Sequence, residues 1–369
     1  MHHKTLYLIG VICIWFITIS RATNVDFDSY TTDDGLSNAY ITAIIKDSAG
    51  FMWFGSQNGL NRFDGISFKH YTNIENDSTS LQGNYITCFE VDNKGNLWVG
   101  TTNGLCIYNR ENDNFTRIDI NTDVSAYRGS FIIKLFADSK GSMWVSTFQG
   151  IINLKVSNNS TEDGIEFYKL SIYFLEENDV ENKFKLFLSS IEEDEEGRIW
   201  FSSYSKNLFY FDYADSSISK FQIKNINANS ISNKQKTLLI DSENNFYLSI
   251  SGIGVFVINK DGSAIELRGK NNPRGEMINS LIEDKEGNIW FGDQNSEGIS
   301  LYNKKGKDFA NLQSDNSKPR SLLINKINTI YEDNTGNIWV GTIIGINKYS
   351  PGKIKFKSYF WQFNKNDGL

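Results

Sequence analysis

Histidine is nearly missing from this chain of 369 residues, with only His2, His3 and His70. The first two fall in a leader described below, so one imidazole remains. A Ser-His-Asp or Cys-His catalytic set, or a histidine-rich zinc site, would have to be built on His70 or not at all. His70 lies in the alternating run Phe68-Lys69-His70-Tyr71 and reads as a solvated strand residue. Proline is almost absent, with 3 residues, while 40 % hydrophobic and 14 % aromatic residues exclude disorder and collagen-like chains. Basic charge is in deficit, 37 Lys+Arg against 44 Asp+Glu, a formal charge of −7. Losing Lys4 and Arg21 with the leader leaves 35 basic residues against the same 44, or −9. No basic surface is available to offset phosphate charge, which disfavours nucleic acid as a partner. Cysteine is scarce too: beyond Cys13 only Cys88 and Cys106 remain, both in apolar stretches and expected as small buried filler rather than a disulfide.

A single long apolar run occurs. Residues 1–22 combine a short basic start, apolar residues from Leu6 to Ile19, and Ser20-Arg21-Ala22. This reads as a cleaved signal peptide, because a run of 14 residues is short of the ~20 that span a bilayer. The mature chain is expected in the periplasm, with no membrane span of its own.

What the chain has in abundance is repetition. Seven aromatic anchors, Trp53, Trp98, Trp144, Trp200, Tyr247, Trp290 and Trp339, recur at spacings of 43 to 56 residues. Six residues before each stands an aspartate: Asp47, Asp92, Asp138, Asp194, Asp241, Asp284 and Asp333. Three residues before each anchor is a glycine, with Asn244 the single departure. The first unit shows the pattern of four short strands, at 41–46, 51–55, 60–63 and 66–71, joined by turns. Aspartate is expected to accept from turn amides, and Gly or Asn to supply the positive φ that closes the first hairpin. A four-stranded sheet has two faces to cover, and radial stacking covers both. The expected fold is therefore all-β, a seven-bladed β-propeller of four-stranded antiparallel blades over residues 23–360, with the anchors packed between blades. The longest spacing, between Trp144 and Trp200, places a loop-like insertion at 155–183.

The residues Asp34-Gly35-Leu36-Ser37-Asn38, Asp47, Gly50, Phe51-Met52-Trp53-Phe54-Gly55 and Asn58-Gly59-Leu60-Asn61-Arg62-Phe63-Asp64-Gly65 resemble the two-component regulator propeller repeat, and residues 336–342 repeat it almost verbatim. The resemblance implies the extracytoplasmic sensor region of a hybrid two-component system of Bacteroides-type bacteria. Such a system has two propellers, a β-sandwich, a membrane span, a histidine kinase, a receiver and a DNA-binding domain, and responds to glycan-derived oligosaccharides. The implied partners are an oligosaccharide, a second propeller, a histidine kinase portion and, for signalling, a homodimer. Residues 361–369 end on Asn366-Asp367-Gly368-Leu369, where the opening signature would recur, and read as the start of a further repeat. Phe356 and Tyr359 echo Phe27 and Tyr30, so eight candidate outer strands serve seven blades, and either residues 27–31 or residues 354–359 should close the ring. No kinase segment is seen in the sequence, so output is expected to come from elsewhere.

The rival reading is a propeller glycoside hydrolase or lyase working through two carboxylates, or a stand-alone carbohydrate- or protein-binding propeller. The hydrolase needs two acids converging on one pocket, whereas seven acids here are turn aspartates, and residues Glu192 to Glu196 read as a solvated cluster at a hairpin tip. Calcium in the Asp- and Asn-rich turns is disfavoured by Lys94 and by the wrong spacing, so no metal and no cofactor are expected. Binding is expected on the opposite face, around the central funnel, where aromatic rings and amides can meet a sugar. The candidates are Tyr40, Gln57, Tyr85, Tyr127, Arg128, Phe148, Gln149, Tyr204, Arg274 and Gln294. A neutral or modestly charged oligosaccharide is the expected ligand.

Overall fold

The computed structural model describes residues 25–351 apart from 119, 121–130, 148–149, 162–163, 174–187 and 269–276. Seven four-stranded antiparallel sheets form a seven-bladed β-propeller, and the described helices are two single turns, Thr32–Asp34 and Ala228–Ile231. Strands are lettered A to D from the central channel outward. Blade 1 comprises Ile41–Lys46, Met52–Ser56, Gly59–Phe63 and Phe68–Tyr71, and the same order recurs in blades 2 to 6. The A strands of the seven blades begin at Ile41, Ile86, Ile132, Leu188, Lys236, Ile278 and Ile327. The A–B and C–D turns share one end of the molecule, the turn face. The B–C hairpins and the D-to-A connections share the other, the funnel face.

Blade 7 takes strands A to C from Ile327–Glu332, Ile338–Thr342 and Ile346–Tyr349, and its outer strand from the far end of the chain, Phe27–Tyr30. Phe27 pairs with Tyr349 and Tyr30 with Ile346. Of the two candidate closing strands, the N-terminal one closes the ring; residues 354–359 lie outside the described residues.

The repeated aspartate does more than brace a turn. In blade 1, Asp47 Oδ1 accepts from the amides of Ala49 and Phe51, each at 2.9 Å, and Oδ2 accepts from the Trp53 indole N–H at 2.9 Å. The indole bond recurs at Asp92–Trp98 (2.9 Å), Asp138–Trp144 (2.7 Å), Asp194–Trp200 (2.6 Å), Asp284–Trp290 (2.7 Å) and Asp333–Trp339 (3.0 Å). One carboxylate thus fixes the hairpin and orients the buried ring. Burial pushes the Asp333 carboxyl up, but hydrogen bonds from Thr335, Trp339 and Asn337 outweigh it and hold the group well below the usual carboxylate range. In blade 5 the phenol of Tyr247 replaces the indole, and Asp241 Oδ2 instead takes Lys304 Nζ at 2.9 Å. The residue three before each anchor has positive φ in all seven blades, including Asn244 at 59°, as the hairpin requires.

The anchors are buried between blades. Trp53, with Ala43 and Ile45, packs on Ile86, Phe89, Leu97 and Val99 of blade 2, and Trp339 packs on Ile41, Ile44 and Phe54 of blade 1. Two residues after four of the anchors stands a glycine whose missing side chain admits the next blade. A Cβ on Gly55 would lie 2.6 Å from Ile86 Cγ2, and those on Gly100, Gly292 and Gly341 would lie 2.8 Å from Ile132, Ile327 and Ile41. On the turn face, hydrogen bonds join neighbouring A–B turns around the whole ring, for example Ser48 Oγ to Gly95 O (2.9 Å) and Asn93 Nδ2 to Asp138 O (3.0 Å). Lys46 Nζ donates to Asn334 Oδ1 at 2.6 Å and carries this belt across the closure. Cys88 and Cys106 are free and buried.

One expectation changes. The residues between Trp144 and Trp200 include no loop at 157–161: strands C and D of blade 3 are lengthened to Gly150–Thr161 and Gly164–Tyr173. Cross-strand pairing continues to Thr161 and Gly164 because extending a hairpin satisfies backbone groups that a loop would leave to water. The extension is on the turn face, away from the funnel.

Candidate functional site: the funnel face

In six blades strand A carries a bulge at its second residue, where the register to strand B shifts: Thr42, Thr87, Ile133, Ser189, Asn279 and Asn328. A bulge re-aims a side chain, and here it turns these side chains inward around the channel mouth. Thr42 Oγ1 donates to Ile86 O at 2.6 Å, Ser189 Oγ to Lys236 O, Thr237 Oγ1 to Ile278 O at 2.8 Å, and Asn328 Nδ2 to Ile41 O at 2.8 Å. Each bond reaches the first strand A carbonyl of the next blade, so the mouth is laced blade to blade.

Blade 5 has no bulge. At its base Lys236 is fully buried, its Nζ donating to Ile231 O (2.8 Å), Lys234 O (2.9 Å) and Ser203 O (3.4 Å). Burial pushes this amine down to about 8. The three carbonyls clamp the D-to-A connection that carries Gln235.

Above the ring lies a cavity of about 270 Å³ lined by Tyr40, Tyr85, Phe131, Gln235, Asn279, Gln294 and Asn328, among others. One sector is aromatic. Tyr40 and Tyr85 each stand just before a strand A, and Gln57 on the B–C hairpin of blade 1 donates its backbone N–H to Tyr40 O at 3.3 Å. The Tyr85 hydroxyl is pushed up by burial and by its neighbour Tyr40, against a hydrogen bond with the Gln57 side chain. The facing sector is a chain of amides. Tyr204 OH donates to Gln235 Oε1 (3.4 Å), Gln235 Nε2 to Asn279 Oδ1 (2.8 Å), Asn279 Nδ2 to Gln294 Oε1 (2.6 Å), and Gln294 Nε2 to Asn328 Oδ1 (3.3 Å).

Of the ten residues expected from sequence, the fold gathers Tyr40, Gln57 and Tyr85 in the first sector and joins Tyr204 and Gln294 through the second. Tyr127, Arg128, Phe148, Gln149 and Arg274 lie outside the described residues. Sequence reasoning missed Thr42, Thr87, Phe131, Gln235, Asn279 and Asn328. A signal existed: eleven residues before the anchor, five of the six bulge positions carry a small polar or amide side chain. His70 is exposed on strand D of blade 1, with Nε2 2.7 Å from Gly35 O.

The acidic run 192–196 is not a uniformly solvated cluster. Glu192 belongs to strand A of blade 4 rather than to the hairpin tip, and alternation turns it inward. Burial pushes its carboxyl up to about 8, with Lys134 opposing and Glu90 reinforcing the shift. Glu90 is likewise pushed up to about 8 by burial. These two groups come from blades 2 and 4, which are not neighbours, and influence one another as side chains facing a common channel do. Burial is the main cause in both, and Lys134 is the cation that opposes the shift at Glu192. Among the described residues no cluster of three or more His, Cys, Asp or Glu could hold a metal ion, and no helix is long and apolar enough to cross a membrane.

The funnel mouth therefore offers rings on one side and fixed amide donors and acceptors on the other. The model for the two-component regulator propeller matches residues 35–58, 80–103, 272–295 and 321–343. A segment of 81 residues is 40 % identical to histidine kinase P4 of Formosa agariphila, covering 21 % of this chain and 6 % of the kinase. The extracellular domain of a hybrid two-component system of B. thetaiotaomicron, BT3049, superposes with a TM-score of 0.69 at 23 % identity, over 88 % of this chain and 42 % of that one. Streptogramin B lyase shares the fold at 14 % identity and a TM-score of 0.63, over 88 % of this chain and 97 % of the lyase. The chain thus spans less than half of the solved sensor domain and a small fraction of the kinase. The matched segments fall on blades 1, 2, 6 and 7, and the other three blades are built on the same Asp-to-anchor register, so the chain is a seven-bladed ring in which four blades match the two-component regulator propeller repeat.

Proposed function

We propose that this propeller is an extracytoplasmic ligand-binding module of a two-component regulatory system. Its ligand is an uncharged or weakly charged oligosaccharide released from a glycan, and its output passes to a histidine kinase. The observation that carries the reading is the division of the funnel mouth into an aromatic sector, Tyr40, Tyr85 and Phe131, and an amide sector, Gln235, Asn279, Gln294 and Asn328. Sugar rings present C–H faces that pack on aromatics and hydroxyls that pair with amides, and a site built of both fits them better than a purely apolar ligand. The family match supports a regulatory setting. The signal peptide expected at 1–22, outside the described residues, supports an extracytoplasmic one. Ligand must favour one arrangement of the assembled sensor over another for a signal to pass, and a homodimer is the arrangement we assign to it.

The test is calorimetry on the mature chain against a panel of neutral and uronic oligosaccharides, with product analysis of the same mixtures. Y85A/Q294A should weaken binding by about 30–100-fold, each tenfold being about 1.4 kcal/mol, with melting followed in parallel. Affinity retained by a folded double variant would refute the funnel as the site. Accumulation of shorter products would replace the binding role with an enzymatic one.

A further inference from the structure

A single charge stands in the funnel mouth. Of the described residues lining the cavity above the ring, Lys134 is the one cation, and no carboxylate joins it there. Lys134 follows the bulge in strand A of blade 3, pairs with Ser146 of strand B and is half-buried. The same position, four residues before the motif aspartate, holds a small side chain in every other blade: Ala43, Cys88, Ser190, Thr237, Ser280 and Thr329. Packing explains the small residues. Across from Ala43, Cys88, Ser280 and Thr329 stand Gly55, Gly100, Gly292 and Gly341, the glycines against which the next blade closes. Nothing in that packing calls for a long cationic side chain on blade 3.

The polar groups around the mouth are already engaged. Thr42 and Ser189 donate to carbonyls of the next blade, and the amides from Gln235 to Asn328 bond to one another. Lys134 differs. Its charge opposes the upward push of burial on the Cys88 thiol and on the Glu192 carboxyl farther down the channel, yet among the described residues it makes no ion pair and no hydrogen bond. An ammonium has three donors, and half-burying one without a partner costs free energy. A ligand that supplied an anionic partner would offset that cost.

We propose that the funnel ligand is an oligosaccharide bearing one anionic substituent, a uronic carboxylate or a sulfate ester, and that Lys134 Nζ pairs with it. The inference rests on the oligosaccharide reading of the funnel and narrows it. Phe131, three residues earlier on the same blade, lines the cavity too, so a sugar ring packed on the aromatic sector can present a substituent to the ammonium. One cation in the lining matches one anion, and the chain's formal charge of −7 works against a polyanion.

The calorimetric panel is extended with matched pairs: oligosaccharides with one uronic residue beside their carboxyl-reduced forms, and singly sulfated ones beside their desulfated forms. For one kind of pair the anionic member should bind the parent about tenfold more tightly than the neutral one, as a charge-assisted hydrogen bond at a half-exposed site implies. Which kind does so identifies the anion. K134M should erase that preference, K134R should keep it, and added salt should reduce it in the parent, with melting curves checking that both variants fold. Equal binding of the two members of every pair, or a preference that survives in K134M, would overturn this inference and leave the funnel reading standing. Binding of no member at all would overturn both.

Discussion

Replacing Trp98 by alanine tests the joint between hairpin and blade seam. The ring is fully buried and packs with Leu135, Met143 and Val145 of blade 3. Removing a buried indole forfeits some 150–250 Å² of apolar contact, roughly 4–6 kcal/mol at about 25 cal/mol per Å², and measured Trp-to-Ala losses in cores run about 3–5 kcal/mol. Asp92 loses one of four donors, keeping Lys94 N (3.0 Å), Asn96 N (2.9 Å) and Asn96 Nδ2 (2.9 Å). The carboxylate is therefore not stranded, and we expect about 4–5 kcal/mol in all, read as a fall in Tm of about 8–10 °C at roughly 2 °C per kcal/mol for a chain of this size. Trp98→Phe keeps most of the ring and loses the 2.9 Å indole bond. A bond to a charged acceptor contributes about 1.5–3 kcal/mol, so this variant should lose about 2–3 kcal/mol. In a cycle of D92N, W98F and the double variant, followed by near-ultraviolet circular dichroism and calorimetry, a coupling of about 1–2 kcal/mol is expected. A W98A protein that melts with the parent would refute inter-blade packing. An additive cycle would refute the pin while leaving the packing intact.

Three further outcomes follow from the same geometry. Gly100→Ala places a methyl 2.6 Å from Cys88 Sγ and 2.8 Å from Ile132 Cγ2, and should cost about 1–3 kcal/mol by overpacking, measured as a lower urea midpoint with an unchanged slope. Deleting residues 25–31 removes the outer strand of blade 7 and should abolish the single cooperative melt; an unaltered melting curve would contradict N-terminal closure. Glu192→Gln tests the channel carboxyl. Its folded pKa stands near 8 against about 4.3 unfolded, so the native state binds more protons between those values and stability falls as pH rises through them. The variant, which stays neutral, should melt above the parent at pH 7.5 and with it near pH 4.5; equal melting at both would place Glu192 in solvent.

The number of blades and their strand order were legible in the sequence, because the Asp, Gly and anchor positions act within six residues of one another. A carboxylate can reach turn amides two and four residues ahead, and a positive φ closes a hairpin, wherever the unit sits in the ring. The anchors could be assigned to packing for the same reason, although the indole bond to Asp47 and its counterparts could not be read from spacing alone. Tertiary structure alone decided what depends on distant residues. The N-terminal strand, rather than a second sequence-equivalent segment, pairs with Ile346–Tyr349. Bulges turn Asn279 and Asn328 into the funnel, beside Gln294 and Gln235 from separate loops. Glu192, one of a run of acids that looked solvated, is drawn into the channel because strand A continues past it. Local chemistry repeats with the sequence, whereas the charge and contents of the channel and seams come from side chains tens to hundreds of residues apart, which only closure of the ring brings together.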